Sequence, residues 1–185
     1  MSLRVIAGVA KGRKLKAVPG DTTRPITDKV KQALFNILAG DVVDSTWWDM
    51  FAGTGSVGIE ALSRGATFVR FTDRYRVPIE TIRYNLAHCR LSDRAEVRRA
   101  DALAMLLHPA DRPFQNIYVA PPQYQGLWEK VLLLLDQNPS WLTEDGWVIV
   151  QIHPREYKDL ELHNLVQFDR RRYGSTLLIF YRLKE

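Results

Sequence analysis

The chain has 185 residues, of which 46% are apolar, 10% aromatic and 25% charged, with a net charge of +5 at pH 7. These values suit one compact domain with a buried core, and they exclude a disordered tail, a fibre or a small disulfide scaffold. Cys89 has no second cysteine to pair with, and no apolar run reaches the roughly 20 residues of a membrane helix. We therefore expect a cytoplasmic protein without a signal peptide.

Positive charge is concentrated at the start of the chain. Residues 1–31 contain eight basic and two acidic side chains, a net charge of +6, whereas the remainder has a net charge of −1. Such a segment is typical of polyanion binders, because each neutralised phosphate releases condensed counterions. A solvated basic end that only keeps the protein soluble is the alternative. We expect nucleic acid to be the partner, bound by the basic side chains of Arg4, Lys11, Arg13, Lys14, Lys16 and Arg24.

The first predicted elements are a hairpin and a helix. Residues 4–17 alternate short apolar and basic residues around Gly8 and Gly12, which predicts a glycine-broken β-hairpin. Apolar residues at i, i+4, i+7 and i+8 predict an amphipathic helix over residues 28–38, with Thr27 as a cap. We assign residues 1–20 to a basic N-terminal extension and residues 21–185 to the main domain.

From residue 46 the pattern alternates between strand and helix, which predicts a parallel sheet covered on both faces. The last two strands meet through Tyr173 and Gly174 without an intervening helix, which predicts an antiparallel hairpin added to that sheet. The predicted strands are residues 47–51, 67–72, 95–99, 116–120, 147–152, 166–172 and 176–183, and the predicted helices are residues 56–64, 77–88, 102–107 and 126–136.

A GxGxxG pattern at residues 53–58 follows the first of these strands and begins a helix. Gly53 and Gly55 allow the backbone to turn tightly and to approach a ligand, while the helix N-terminus offers N–H groups. This is the context that a nucleotide-binding loop requires. Taken alone, the motif does not distinguish a dinucleotide from another adenosine cofactor.

Three acidic residues follow successive strands of the predicted sheet. Asp73 can accept hydrogen bonds from ribose hydroxyls, and Asp101 can accept from an adenine amino group, with Ala102 supplying backbone contacts. Asp49 precedes the glycine loop, where its charge suits the ammonium of a methionine moiety better than a pyrophosphate. Each acid alone is compatible with an ordinary strand-end cap. Their recurrence at the carboxyl ends of parallel strands favours a ligand site.

Several blocks of sequence carry a family resemblance. They are RVIAG at residues 4–8, KGRKL at 11–15, TRPITDKV at 23–30, ALFNIL at 33–38, DMFAGTG at 49–55 and GIEALSRGA at 58–66, with a weaker match in YGST at 173–176. On these residues the chain resembles the bacterial 16S ribosomal RNA guanine-N2 methyltransferase family over nearly its whole length.

The resemblance implies a fold, a cofactor and site roles. The fold would be α/β and Rossmann-like, of the class I methyltransferase type, with a mainly parallel seven-stranded sheet, a C-terminal antiparallel hairpin and an N-terminal basic β-hairpin that binds RNA. Residues 21–185 would form the methyltransferase domain, with S-adenosylmethionine as the methyl donor. Asp49, Gly53 and Gly55 would surround its methionine part, Asp73 its ribose, and Asp101 with Ala102 its adenine.

The segment after the fourth strand departs from the family pattern. Where the family has Asp-Pro-Pro-Tyr, this chain reads Ala120-Pro121-Pro122-Gln123-Tyr124. In the resembling enzymes the acid accepts a hydrogen bond from the guanine amino group, and the aromatic residue stacks on the extruded base. The Pro121 carbonyl or the Gln123 side-chain oxygen could replace the acid as a weaker, neutral acceptor, and Tyr124 could stack if the loop shifts by one residue. We take Pro121, Pro122 and Gln123 as candidate catalytic residues, Ala120 as cofactor-binding and Tyr124 as RNA-binding; a simple proline strand end is the alternative.

We predict methyl transfer from S-adenosylmethionine to N2 of a guanine in small-subunit ribosomal RNA, either as RNA or within an assembling subunit. A relative that binds RNA and cofactor without turnover is the alternative from another class. A nicotinamide-dependent oxidoreductase is disfavoured because the chain has no separate substrate domain and Asp49 adjoins the phosphate position. The four histidines and Cys89 lack metal-ligand spacing. We expect a monomer with no metal and no membrane partner.

Overall fold

The computed structural model describes residues 3–20 and 25–185. Its strands form one mixed seven-stranded sheet with the order β3-β2-β1-β4-β5-β7-β6. The strands are β1 Thr46–Asp49, β2 Phe68–Asp73, β3 Ala95–Arg99, β4 Phe114–Val119, β5 Leu142–Ile152, β6 Leu165–Tyr173 and β7 Thr176–Leu183.

Five α-helices of the described residues alternate with the first five strands. They are α1 Asp28–Leu38, α2 Ser56–Ser63, α3 Arg76–His88, α4 Ala102–Leu106 and α5 Leu127–Gln137. None of the helices in residues 3–20 and 25–185 has the length and apolar character needed to span a membrane. The chain separates into two compact units, Met1–Ala100 and Asp101–Glu185.

The first unit is built on the parallel strands β1, β2 and β3. Thr27 begins α1 as its N-cap, because its side-chain oxygen accepts a hydrogen bond from the N–H of Val30. Every residue of α2 is buried. A Cβ at Gly58 would lie 2.3 Å from a ring carbon of Phe71, so a glycine here is what lets α2 pack closely on β2.

The N-terminal segment of residues 3–20 also belongs to the first unit and packs on α2. The predicted β-hairpin is present in a short form: Arg4 and Lys14 make one antiparallel bridge, flanked by hydrogen bonds from the Val5 N–H to the Arg13 carbonyl and from the Leu15 N–H to the Leu3 carbonyl. Regular strands do not extend from it because consecutive N–H groups are used by the helix instead. The N–H groups of Ile6 and Ala7 donate to the Glu60 carboxylate. The Val9 N–H donates to the Ser63 carbonyl, and the Ala10 N–H donates to the Ser63 hydroxyl.

The second unit contains β4 and β5 as a parallel pair, and β7 pairs antiparallel with both β5 and β6. The turn between β6 and β7 has two residues, Gly174 and Ser175, and Gly174 adopts a φ of 60°. A two-residue hairpin loop requires such a left-handed conformation, which glycine adopts without a steric penalty. The predicted C-terminal antiparallel hairpin is therefore confirmed.

The predicted elements are all present in the predicted order, with α1, β3 and β7 at the predicted bounds. Most other ends differ by one or two residues. Strand β5 begins at Leu142, five residues before the predicted start at residue 147. Its pairing with β4 shifts between Leu142 and Trp147, which leaves the polar residues 143–146 in an irregular stretch that resembles a turn in the sequence. The functional division at residue 20 stays a prediction.

Candidate functional site

The glycine loop between β1 and α2 has the backbone geometry that its sequence predicts. Gly53 and Gly55 have φ angles of 55° and 79°, in the left-handed region that favours glycine. A Cβ at Gly53 would meet no atom within 4 Å, so the space above this residue is open. Gly55 is the N-cap of α2 and supplies no side-chain capping bond. The loop therefore leaves room for a ligand against its backbone at Gly53, whereas the Ser56 and Gly58 N–H groups at the start of α2 are already bonded to Thr54 and Asp49.

Asp73, the last residue of β2, fixes the glycine loop to the sheet. Its Oδ2 accepts a hydrogen bond from the Gly53 N–H at 3.2 Å, and its Oδ1 accepts from the Tyr75 N–H at 3.1 Å. These bonds are those of a strand-end cap. A carboxylate can accept several hydrogen bonds at once, so the cap is compatible with the predicted ribose contact.

Asp49, the last residue of β1, lies behind the loop and is only 2% exposed. Its Oδ2 accepts a hydrogen bond from the Gly58 N–H at 3.1 Å. Burial raises the pKa of Asp49 to about 7; the Gly58 N–H opposes this shift, and the nearby charge of Asp73 adds to it. A cation placed beside Asp49 would favour its ionised form, so the charge state of this carboxyl group can respond to a ligand near neutral pH.

The residues of the first unit fit the S-adenosylmethionine that the resemblance implies. The open space at Gly53 leaves room for a ligand against the backbone, and Asp73 brings a carboxylate to the same loop. Asp49 adds an acid whose ionisation a positively charged group would stabilise. An acid at this place would repel a pyrophosphate, so the donor set suits a cationic ligand better than a dinucleotide.

The predicted adenine contacts lie in the second unit, at the start of α4. Asp101 is exposed and caps this helix, its Oδ1 accepting a hydrogen bond from the Leu103 N–H at 3.0 Å. Ala102 is buried. The observed role of Asp101 is that of a cap, and the adenine contact stays a prediction.

The segment after β4 runs from a buried position to the surface of the second unit. Ala120 is half-buried and Pro121 is buried, whereas Pro122, Gln123 and Tyr124 are exposed. Tyr124 has a φ of 62°, which a non-glycine residue rarely adopts. Its N–H donates to Glu156 Oε1 at 2.8 Å, which holds the residue in this conformation. Strained residues of this kind concentrate at functional sites.

The ring of Tyr124 contacts a histidine from the segment after β5. The ring centroids of Tyr124 and His153 are 5.8 Å apart, with an interplanar angle of 39°. Glu156 also accepts from the His153 N–H at 3.2 Å and so joins the two segments. His153 and Glu156 cannot be recognised from the sequence, because neither belongs to a motif and only the fold brings them beside Tyr124.

The basic side chains predicted to bind RNA lie on the surface of the first unit. Arg4 is exposed and its Nε lies 2.9 Å from Asp28 Oδ2. The Lys16 ammonium lies 5.3 Å from the centroid of the Tyr84 ring, an arrangement that suits a cation–π contact. The remaining predicted residues are Lys11, Arg13 and Lys14, which are exposed, and Arg24, which lies outside the described residues.

A buried charged network joins the N-terminal segment to the start of α2. The Lys31 ammonium donates to the Arg4 carbonyl at 2.6 Å and to the Ser56 hydroxyl at 2.9 Å. It also lies 3.3 Å from the Glu60 carboxylate, and the side chains of Lys31 and Glu60 are both fully buried. Asn85 of α3 adds a second link, because its side chain donates to the carbonyls of Lys16 and Thr54.

Metal ligands are not clustered in the part of the chain that the structure describes. No group of three or more His, Cys, Asp and Glu side chains there could hold a metal ion. The expectation of a metal-free site stays a prediction.

Known proteins similar to this chain share both its sequence and its fold. A family model described as "Conserved hypothetical protein 95" matches residues 3–182. The protein YlbH of Bacillus subtilis (strain 168) is 39% identical over 183 residues, which cover 97% of this chain and 98% of YlbH. "Ribosomal RNA small subunit methyltransferase D" of Haemophilus influenzae is 33% identical over 183 residues, covering 98% of this chain and 92% of that protein. The solved structure of yhhF from Escherichia coli is 30% identical with a TM-score of 0.88, covering 100% of this chain and 99% of that one.

These similarities confirm two of the predictions made from sequence. The resemblance to ribosomal RNA methyltransferases holds over nearly the whole chain, since a named member of that class matches 98% of it. The predicted α/β class I methyltransferase fold is confirmed by the sheet order and by the structural match.

Proposed function

The chain belongs to the family described as "Conserved hypothetical protein 95", and we propose from this membership and from its site that it methylates N2 of a guanine in small-subunit ribosomal RNA. Relatives 33% and 35% identical to it carry the name ribosomal RNA small subunit methyltransferase D. This chain is itself a methyltransferase. The guanine, its N2 atom and the form of the RNA, whether naked or in an assembling subunit, are the finer parts of the proposal.

The observation that carries the proposal is the glycine loop with the two acids that flank it. The Gly53 N–H donates a hydrogen bond to Asp73, and the N–H of Gly58 in the helix that follows donates to Asp49. In this arrangement Asp73 would hold the ribose hydroxyls and Asp49 the ammonium of the methionine part. Asp101 and Ala102 remain the proposed adenine contacts.

Methyl transfer would form a nitrogen–carbon bond as the sulfur–carbon bond of the donor breaks, and the amino nitrogen would lose one proton to solvent. S-adenosylmethionine supplies an electrophilic methyl group on a sulfonium. The protein's own residues must place an amino nitrogen in line with it, and placement together with electrostatics accounts for most of the acceleration in such reactions.

The segment after β4 is the proposed place for the guanine. The Pro121 carbonyl or the Gln123 side-chain oxygen would accept a hydrogen bond from the amino group and orient its nitrogen. Pro122, next to them, would keep the segment stiff, because its ring fixes φ. Glu156 holds the backbone N–H of Tyr124, and the exposed ring of Tyr124 would stack on the base once the base leaves its helix.

The decisive experiment is methyl transfer to ribosomal RNA from cells that lack this protein. We expect label from tritiated S-adenosylmethionine to enter small-subunit RNA and to be recovered as N2-methylguanine after digestion. Label in another base would contradict the guanine assignment. Comparing naked RNA with assembling subunits as substrates identifies the form that is methylated.

A second candidate function is an RNA-binding protein that keeps the cofactor without turnover. The observation in its favour is Ala120, since this side chain cannot accept a hydrogen bond where the resembling enzymes have an acid. S-adenosylmethionine binding without any methyl incorporation would support this candidate.

The variant Ala120→Asp tests whether the missing acid limits the reaction. We expect it to raise the methylation rate about tenfold or more, because a charged acceptor orients the amino group more strongly than a neutral one. The control Ala120→Asn adds similar volume without charge and should raise the rate less. A folded Ala120→Asp protein that binds cofactor but gains no activity would contradict this account.

A further inference from the structure

A basic cavity lies in the second unit, between the segment after β5 and the turn that joins β6 to β7. Its volume is about 400 Å³, and it is lined by His153, Pro154, Arg155, Arg172, Gly174 and Ser175. The lining includes two guanidinium groups, one imidazole and one hydroxyl, and it contains no carboxylate. Such a lining suits an anion with several oxygen acceptors.

Backbone contacts orient two side chains of the cavity, Arg172 and His153. Arg172 Nε donates to the Gly174 carbonyl at 2.9 Å, which leaves the two terminal nitrogens of the guanidinium available for an anion. His153 Nδ1 accepts from the Arg155 N–H at 3.0 Å. A neutral imidazole with Nδ1 as acceptor has its proton on Nε2, which can donate to a ligand.

Neighbouring arginines on β6 are engaged elsewhere. Arg171 pairs with Asp169, with 3.1 Å between Nε and Oδ2, and the Arg170 guanidinium lies 4.3 Å from the centroid of the Tyr157 ring. Among the described residues, no carboxylate is recorded within ion-pair distance of Arg155 or Arg172. The positive charge of these two residues is therefore not neutralised locally.

The cavity is adjacent to the segment proposed to take the guanine. His153 lines it and also contacts the ring of Tyr124, with 5.8 Å between the ring centroids. Glu156 fixes the relation between the two by accepting from the N–H groups of both residues. An anion in the cavity would thus lie next to whatever stacks on Tyr124.

We propose that this cavity binds a backbone phosphate of the RNA strand next to the extruded nucleotide, through Arg155, Arg172 and the His153 Nε2 proton. The inference rests on the proposed function and adds to it a phosphodiester site in the second unit. A base that leaves its helix must be held by its backbone, and phosphate contacts set the register of a nucleic acid on a protein. The cavity places such a contact beside the stacking residue.

The test compares RNA binding by Arg155→Gln and Arg172→Gln with the control Arg171→Gln. All three substitutions remove one exposed positive charge, and Arg171 lies next to Arg172 but on the opposite face of the strand. Equilibrium titrations use a single-stranded oligonucleotide from small-subunit RNA, with S-adenosylhomocysteine present. We expect each cavity variant to weaken binding about tenfold and to lower the salt slope of log K by about 0.7, the value for one phosphate contact on a single strand.

The control variant should change RNA affinity less than twofold. Equal losses in Arg171→Gln and the cavity variants would overturn the proposal, because a general charge effect would then explain them. Thermal melting of all three variants verifies that the exposed substitutions leave the fold intact.

Inorganic phosphate distinguishes a phosphodiester site from a site for the free ion. We expect millimolar phosphate to displace the oligonucleotide only weakly from the wild-type protein. Phosphate binding as tight as RNA binding, and lost in Arg172→Gln, would overturn the RNA assignment.

The readout is binding, so it separates this proposal from the enzymatic one. If the wild-type protein methylates RNA but the cavity variants bind like the control, only the cavity inference fails. If it does not methylate RNA while the cavity variants lose affinity, only the proposed activity fails.

Discussion

Asp49 shows how one side chain joins the fold to the proposed cofactor site. Its burial at the end of β1 opposes ionisation and raises its pKa to about 7, far above the usual value of 3.8. The Gly58 N–H alone does not compensate for that burial. An ammonium group beside the carboxyl would provide the missing charge, so cofactor affinity and the ionisation of Asp49 are linked.

The linkage predicts that S-adenosylmethionine binds more tightly as the pH rises from 6.0 to 7.5. With a pKa of about 7, the ionised fraction of Asp49 grows from about one tenth to about three quarters, so we expect the affinity to rise about eightfold. Isothermal titration calorimetry at these pH values measures the affinity for S-adenosylmethionine. In Asp49→Asn the affinity should be lower and independent of pH over the same range, and a flat wild-type profile would contradict the assignment.

Asp49 also makes the stability of the ligand-free protein depend on pH. Because its pKa is raised in the folded state, the folded protein retains a proton that the unfolded chain has lost between about pH 4 and pH 7. The contribution of Asp49 to the free energy of unfolding therefore falls as the pH rises through this window. Asp49→Asn removes that contribution. Urea titrations should therefore show that the free energy of unfolding of the variant, relative to that of wild type, increases as the pH rises towards 7.

Glu60 on α2 anchors the N-terminal segment to the rest of the first unit. Its carboxylate accepts from the N–H groups of Ile6 and Ala7 at 2.9 and 3.0 Å and from Arg64 Nε at 2.8 Å. Lys31 of α1 adds its buried ammonium to the same carboxylate. The pKa of Lys31 is lowered by burial, which the charge of Glu60 opposes. One carboxylate thus holds together two helices and the segment before them.

Glu60→Gln should destabilise the protein by about 3–5 kcal/mol, because it leaves the Lys31 charge buried without its partner. Urea unfolding, monitored by circular dichroism, measures the change. The double variant Glu60→Gln with Lys31→Met removes both charges and should recover part of the loss.

The pair Arg76–Glu80 on α3 provides a matched control for Glu60. It has the same spacing along a helix as Glu60 and Arg64, but its side chains are 74% and 60% exposed. Glu80→Gln should change the free energy of unfolding by about 1 kcal/mol or less. A Glu60→Gln loss no larger than that of Glu80→Gln would show that the network does not anchor the segment.

Sequence periodicity predicted an element well where its hydrogen bonds are local, as in a helix, or where its apolar residues follow a regular pattern, as in a strand. The helix at Asp28–Leu38 and the strands Ala95–Arg99 and Thr176–Leu183 have the predicted bounds. The N-terminal segment has less hairpin than predicted, because its N–H groups bond to Glu60 and Ser63, more than 50 residues away in the sequence. Local sequence patterns do not predict such distant acceptors.

At the scale of the whole molecule, the sequence indicated the ends of strands but not the surroundings of the segment after β4. Asp49 and Asp73 could be selected because the carboxyl ends of parallel strands form ligand sites. His153, Arg155 and Arg172 could not, since they come from two distant segments that the sheet order brings together. The run of three arginines at residues 170–172 was the available signal, and only the structure shows which of them faces the cavity.

The charge distribution of the whole chain bears on how RNA is held. A net charge of +6 in residues 1–31 against −1 elsewhere concentrates the positive field in the first unit. Lys11, Arg13, Lys14 and Lys16 are exposed there, so they can reach phosphates without losing buried contacts. Binding through such contacts weakens steeply with salt, because counterions are released when phosphates are neutralised.

The double variant Lys11→Gln with Lys14→Gln should therefore weaken RNA binding and lower the salt slope of log K by about 1.4, the value for two phosphate contacts on a single strand. Affinities measured by fluorescence anisotropy between about 50 and 200 mM salt give the slope. S-adenosylmethionine affinity should stay as in wild type, because neither side chain belongs to the glycine loop. The control Lys130→Gln with Arg182→Gln removes the same charge from exposed positions of the second unit, and an equal loss of slope in this control would show that net charge, not the N-terminal segment, holds the RNA.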